Sequence, residues 1–369
     1  MNANREIFLL AYSIVDSKNA ASWTWFMTLL ATHIFPNHEP RCIISNRHAG
    51  IDAAFRDLSA LHPPRVQRRY CLRHIRSNVM TRNRNRRLRA LIWEAGTATT
   101  RGEFGNKMER IRAEWPAAYN YLATFDAEKW ALSHDGGHRY GIMTTNSSES
   151  FNNSLKGCRM LLVTALARLT FHKIRVMFAD RRTAGQRMRE AGLCWPKKVF
   201  DELAQREQQA SNATIERYND STGLYGVALE RRHATQRPLR FHKVCLNNSS
   251  CDCGKWNANT SLPCAHIIAA RHFKKVTYDS FVPNVFSMEH YMASYVADFF
   301  PPCNEIQWRS ERILLPPSSA RRNSRPGQRR TRRFQNEMDF GNTTATQRCN
   351  YCRARTHVSN QCPTLNYHS

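Results

Sequence analysis

Residues 251–266 read CDCGKWNANTSLPCAH, and they set Cys251-x-Cys253, ten further residues and then Cys264-x-His266 in one short stretch. Three thiolates and an imidazole complete a tetrahedral zinc shell and leave no position for water or substrate, so a site of this composition is structural. Each half places two ligands one residue apart, which requires extended or tightly turned backbone, and the metal then holds the ends of the intervening loop together. Zinc binding of roughly 10 to 16 kcal/mol folds segments too small to build a core of their own. The bland alternative is a chance cluster of buried cysteines.

Outward from that stretch, the chain of 369 residues is long enough for about two domains with appendages. Its 55 Lys and Arg against 29 Asp and Glu give a formal charge of +26 and a sequence pI near 10.1. Such a surplus repels itself unless a polyanion neutralises it, and nucleic acid is the usual one. A membrane surface is the competing partner, yet no run of about 18 apolar residues exists to span a bilayer. Of the twelve cysteines, six fall into two clusters with metal-ligand spacing, and the opening residues do not read as a signal peptide. A reducing compartment, nuclear or cytosolic, follows. Cys42, Cys71, Cys158, Cys194, Cys245 and Cys303 are scattered and read mostly as small core residues.

Taken in order, Ile7 to Val15 is a short apolar run that reads as a buried strand, and Ala20 to Ile34 sets Trp23, Phe26, Leu29 and Leu30 at helical spacing. A second strand is expected at Cys42-Ile43-Ile44, a loop at Asn46-Arg47-His48, and a helix from Gly50 to Leu61 that Pro63-Pro64 stops. A third strand at Arg69-Tyr70-Cys71 leads into a very basic helix. This alternation of strands and helices indicates an α/β sheet. Residues 84–131 read as a helical insertion with Trp93, Phe104, Ile111, Trp115, Tyr119 and Leu122 among charges, and Asp135-Gly136-Gly137 as a loop. One long helix is expected from Glu149 to Glu190, then polar helical residues to Ser221. Strands between Val227 and Cys245 should pack on the zinc segment, with a helix at Ile267 to Phe273.

Several blocks, AYSIVDSKNAASWTWF from Ala11, IISNRHAGI, RRYCLRHIRSN and TTNSSESFN, resemble successive parts of the catalytic domain of plant Mutator-like (MULE, MuDR) transposases. The segment 251–266, with Gly254 after its second Cys and Pro263 before its third, resembles the SWIM zinc finger that follows that domain in these proteins. The resemblance implies an RNase H-like fold over residues 1–195 with the insertion at 84–131, a SWIM region at 227–275 and a post-SWIM segment at 276–315. It also implies three carboxylates holding two divalent ions, since hydrolysis at a phosphodiester needs metals to activate the attacking oxygen and steady the leaving one. The family's second aspartate falls at Asn46, a neutral amide, and its third carboxylate at Glu149. Cys71-x2-His74 matches the family's Cys-x2-His signature; its bland reading is a strand-end Cys and a helix-start His. The first aspartate would lie upstream of Met1 together with two strands, with Met1 to Asn4 at the turn entering the third. The expectation is therefore an RNase H-like domain that is incomplete, from a truncated product or an incomplete gene model, with strand edges left unpaired.

Residues 316–348 form a basic linker in which Arg321, Arg322, Arg325, Arg329, Arg330, Arg332 and Arg333 accompany Ser, Pro and Gly, a composition expected to be disordered. It suits nuclear localisation, phosphate binding, or an inert spacer. Residues 349–363 carry Cys349-x2-Cys352-x4-His357-x4-Cys362, the spacing of a CCHC zinc knuckle, although Arg353 and Thr356 stand where knuckles place Gly. Arg353 and Arg355 add charge beside Tyr351, which could stack on an unpaired base. The sum is a nuclear, DNA-binding chain with two structural zincs and with catalysis lost, needing Mg²⁺ only if active. The alternatives are an active transposase, a domesticated transcription regulator, and an RNA-binding protein using the knuckle.

Overall fold

The structure, a computed structural model, describes residues 1–15, 17–35, 41–155, 163–230, 239–256, 262–277 and 279–300. Near the start of the chain β1 (Arg41–Ser45) and β2 (Val66–Tyr70) pair in parallel, in a register that runs from Arg41 opposite Val66 to Ser45 opposite Tyr70. Parallel neighbours need a crossover, and α2 (Ala49–Asp57) with a 3-10 turn at Ser59–Leu61 supplies it. The Nδ1 of His48 caps α2 by accepting from the Gly50 amide at 3.1 Å. Before β1, α1 (Ala20–Leu29) is capped by Asn19 Oδ1 on the Ser22 amide and continues as a π-helical turn to Ile34. Met27, Ala31, Ile51, Ala54, Phe55, Leu61 and Val66 close one small core between these elements.

The run Ile7 to Val15 does not form the expected strand. Among the described residues the sheet it would join has only β1 and β2. Leu10, Tyr12, Ile14 and Val15 lie exposed, while Phe8 packs on the rings of Phe178 and Tyr295 with centroids 5.3 and 5.6 Å away.

From the end of β2 the basic helix α3 (Leu72–Arg82) leads into α4 (Arg86–Thr97), α5 (Arg101–Glu114), α6 (Pro116–Ala123) and α7 (Ala127–Trp130). Leu72, Ile75 and Val79 of α3 share a core with Leu88, Leu91 and Ile92 of α4, Ile111 of α5, Leu122 of α6 and Trp130. The helical segment is thus fastened to the strands through α3.

Where one long helix is expected, α8 (Asn146–Ser154) and α9 (Val163–Glu190) are separate, and Leu155 takes a turn conformation. After α10 (Lys197–Ala210) the polar stretch leaves helix earlier than expected, because β3 (Thr214–Asn219) pairs with β4 (Leu224–Ala228). Antiparallel β5 (His242–Cys245) and β6 (Ser250–Cys251) complete a four-stranded sheet. Val227 and Val244 of the sheet meet Ile267, Ile268 and Ala270 of α11 (Ala265–Phe273) in a second core. The last described helix, α12 (Met288–Ala293), lies against α9, with Tyr291 and Tyr295 buried beside Ile174 and Phe178. Asn2 reaches the same place and donates to the Tyr295 hydroxyl at 2.8 Å.

Of the scattered cysteines only Cys71 is buried; Cys42 and Cys245 are half-buried and Cys194 is exposed, while Cys158 and Cys303 lie outside the described residues. No helix among the described residues is long and apolar enough to cross a membrane.

Candidate metal centre

β6 ends at Cys251, the chain turns through Cys253 and Gly254, and Cys264 stands immediately ahead of α11, whose second residue is His266. The ligand atoms of Cys251, Cys253, Cys264 and His266 all lie within 4.8 Å of one another. A zinc–sulfur bond of about 2.3 Å in a tetrahedron puts sulfurs about 3.8 Å apart, so a small contraction turns this cluster into a zinc shell. His266 Nδ1 is already 3.8 Å from Cys251 Sγ. Cys253, Cys264 and His266 are buried and Cys251 half-buried. With only protons between the thiols, hydrogen bonds from Cys251 and Cys264 draw the Cys253 pKa far down, and the same bond to Cys253 pushes Cys251 far up. A divalent cation suits this donor set because it replaces the shared protons.

Two neighbours hold the cluster's backbone. Arg206 of α10 donates from Nη1 to the carbonyls of Leu262 and Pro263 at 2.7 and 2.8 Å, which fixes the approach to Cys264. Thr99, between α4 and α5, donates from its hydroxyl to the Cys253 carbonyl at 2.8 Å. Gly254 has φ +67°, and a Cβ there would stand 2.3 Å from the Thr99 carbonyl oxygen. Only glycine accepts that conformation without strain while allowing so close an approach. At the cluster's side the ring of His242 lies 4.4 Å from that of His266, and its Nδ1 meets Asp252 Oδ1 at 2.7 Å.

A second constellation sits where β1 and β2 end. Ser45 opposite Tyr70 puts Asn46 and Cys71 at the same end of neighbouring strands. Asn46 Oδ1 accepts from the His48 amide at 3.3 Å, an internal loop contact. Glu149, in the first turn of α8, accepts from the Thr145 hydroxyl at 2.8 Å and pairs with Arg73 at 3.1 Å, with His74 Nε2 3.9 Å away. Thr145 also donates to Cys71 Sγ from its amide at 3.3 Å and its hydroxyl at 3.4 Å. Burial opposes ionisation of Cys71, but the His74 imidazole and the two Thr145 donors bring its thiol down to about 7. Among the described residues, the Cys3His cluster is the one group of three or more Cys, His, Asp or Glu side chains close enough to hold a metal.

Reasoning from sequence missed Asp135, read only as part of a loop. It is fully buried, accepts from Arg69 Nε at 2.6 Å and from the Arg139 amide at 2.7 Å, and lies 3.3 Å from Arg139 Nε. Arg139 in turn donates to the Tyr70 carbonyl at 3.1 Å, which ties this loop to the end of β2. Arg206 and Thr99 were missed too, because nothing local marks either as a partner of a loop more than fifty residues away. Cys349, Cys352, His357 and Cys362, and the arginines at 321, 322, 325, 329, 330, 332, 333, 353 and 355, lie outside the described residues.

Compared with known families, residues 1–78 match the family model for the MULE transposase domain. The matched stretch runs through β1, α2 and β2 into α3, so it contains Asn46, Cys71 and His74, whereas Glu149 and the Cys3His cluster lie beyond it. It supports a transposase-derived chain. No curated protein and no solved structure matches.

Proposed function

We propose that this chain is a nuclear DNA-binding protein derived from a Mutator-like transposase, in which a SWIM-type finger at Cys251, Cys253, Cys264 and His266 holds a structural zinc and strand cleavage has been lost. The observation that carries the reading is the MULE transposase match over residues 1–78, and within that stretch the resemblance of the IISNRHAGI block implies that Asn46 replaces an aspartate of the family. A neutral amide lacks the charge that holds a divalent metal. Glu149, the remaining candidate carboxylate, is engaged by Arg73 and Thr145, and an arginine competes with a cation for carboxylate oxygen. The RNase H-like fold, the knuckle ligands Cys349, Cys352, His357 and Cys362 with a second zinc, and phosphate contacts from the 316–348 linker and from Arg353 and Arg355 belong to the same reading.

The alternative of an active transposase rests on Glu149 standing beside Cys71 and His74 at the ends of the strands. Incubating the purified chain with supercoiled plasmid and Mg²⁺ or Mn²⁺ separates the two. Binding without nicking is expected for the wild type and for Glu149→Gln alike. Nicking that Glu149→Gln abolishes would establish the alternative.

A further inference from the structure

Between Leu58 and Trp93 the chain has ten arginines and no acidic residue. The structure divides them sharply. Arg65 donates to the Phe35 carbonyl at 2.6 Å, Arg68 pairs with Asp52, Arg69 with Asp135 and Arg73 with Glu149. Arg76 lies over the Trp93 ring at 4.8 Å, and Arg87 pairs with Glu114 at 3.0 Å. Arg82, Arg84, Arg86 and Arg89 are exposed and make no ion pair among the described residues. All four sit on the elbow joining α3 to α4, RNRNRRLR.

This elbow is fixed. The Asn83 amide closes α3 on the Val79 carbonyl at 3.1 Å, and Asn85 caps α4 by accepting from the amides of Arg87 and Leu88 at 2.8 and 3.2 Å. Leu88, Leu91 and Ile92 are buried directly beneath. The first turn of α4 contains no acidic residue, so Arg86 and Arg87 stand where the helix dipole favours anions and disfavours cations. Glu114 compensates Arg87 alone. Arg76 also feels the concentration of charge: burial, then the fields of Arg89 and Arg73, lowers its pKa. A fixed cationic surface at the positive end of a helix dipole is suited to phosphate oxygens.

We propose that the α3–α4 elbow is a phosphate-backbone-binding surface for duplex DNA, with Arg82, Arg84, Arg86 and Arg89 as its contacts. The inference rests on the DNA-binding reading above and supplies a surface for it. Duplex DNA is favoured over RNA because α3 is shared with the transposase-matched stretch. Arg82 follows His74 by eight residues on that helix, about 12 Å along its axis, and a duplex presents one negative charge per about 1.7 Å. The elbow therefore lies within one helical turn of duplex from His74, at the start of the helix that follows Cys71. Asn85 is committed to capping, so the contact is to the backbone and is indifferent to base sequence.

The test uses the full chain, two unrelated duplexes and a single-stranded RNA, with affinity followed by fluorescence anisotropy from low to moderate salt. Each neutralised phosphate contributes about 0.9 to the slope of log affinity on log salt. The quadruple variant Arg82→Gln, Arg84→Gln, Arg86→Gln, Arg89→Gln should lose about 3 to 4 of that slope and weaken by about tenfold or more, equally for both duplexes. The matching Arg→Lys quadruple keeps the charges and should keep the slope, which separates lost contacts from lost fold. An unchanged duplex slope in the Gln variant overturns the inference while leaving the DNA-binding reading in place. Loss of RNA binding alone would also overturn it. Failure of the wild type to bind duplex at all removes the reading on which it rests.

Discussion

Asp135 carries the negative charge between two buried guanidiniums, Arg69 and Arg139. Breaking a buried ion cluster by removing one partner costs about 3 to 5 kcal/mol, because the remaining charges are left without compensation. Asp135→Asn should lose that much in urea unfolding; a loss under about 1 kcal/mol would mean that water reaches the site. Cys71 makes a different prediction. Its folded pKa of about 7 lies below the ordinary 9.0, so the folded state binds fewer protons between these values and its stability rises with pH across that window. The gain, on the order of 2 to 3 kcal/mol at pH 9, disappears as pH falls through 7. Cys71→Ser should lack it, and parallel stability curves for the two proteins from pH 7 to 9 would contradict the thiolate. The contrast between these residues and the Cys3His cluster shows what sequence makes legible. Cys251, Cys253, Cys264 and His266 announce themselves because their chemistry is written in local spacing. Asp135-Gly136-Gly137 has the look of any exposed turn, and its partner Arg69 is 66 residues away.

At the level of elements, the crossover α2 and the helices of the insertion were readable because their apolar periodicities agree with the burial they obtain, whereas β2 buries Arg69 beside Val66. Ile7 to Val15 was misread because an apolar run does not by itself say what it packs against, and here Phe8 packs against α9 and Tyr295 instead of a neighbouring strand. Thr214 to Asn219 was misread in the opposite sense, since its strand state comes from pairing with β4. The docking of the Cys251–Gly254 turn on the α4–α5 turn was invisible in sequence, although Gly254 hinted at a special backbone. Gly254→Ala tests that docking. Gly192 has φ +76° with nothing within 4 Å of a new Cβ, so Gly192→Ala reports left-handed strain alone, about 1 to 2 kcal/mol. Gly254→Ala should cost clearly more, since its Cβ also meets the Thr99 carbonyl, and hydrogen exchange should quicken at the start of α5. Equal costs for the two variants would show that the contact with Thr99 is dispensable.

For the whole molecule, a charge of +26 is mostly a statement about partners. Among the described residues several arginines are engaged by carboxylates, Arg69 by Asp135, Arg73 by Glu149, Arg181 by Glu6 and Arg206 by Glu202, whereas those of the α3–α4 elbow have no ion pair apart from Arg87 with Glu114. The Cys3His cluster is likewise part of the larger body: α10 and the α4–α5 turn both hold its loops, and its cysteines belong to the same core as β4, β5 and α11. Metal loading should therefore be felt as stability of that core. The most direct measurement is the zinc content of the purified full chain beside that of Cys264→Ser, with thermal unfolding of both. The variant should contain one equivalent less zinc and show early melting of the 214–273 region. Equal zinc in the two proteins would contradict the Cys251–Cys253–Cys264–His266 site.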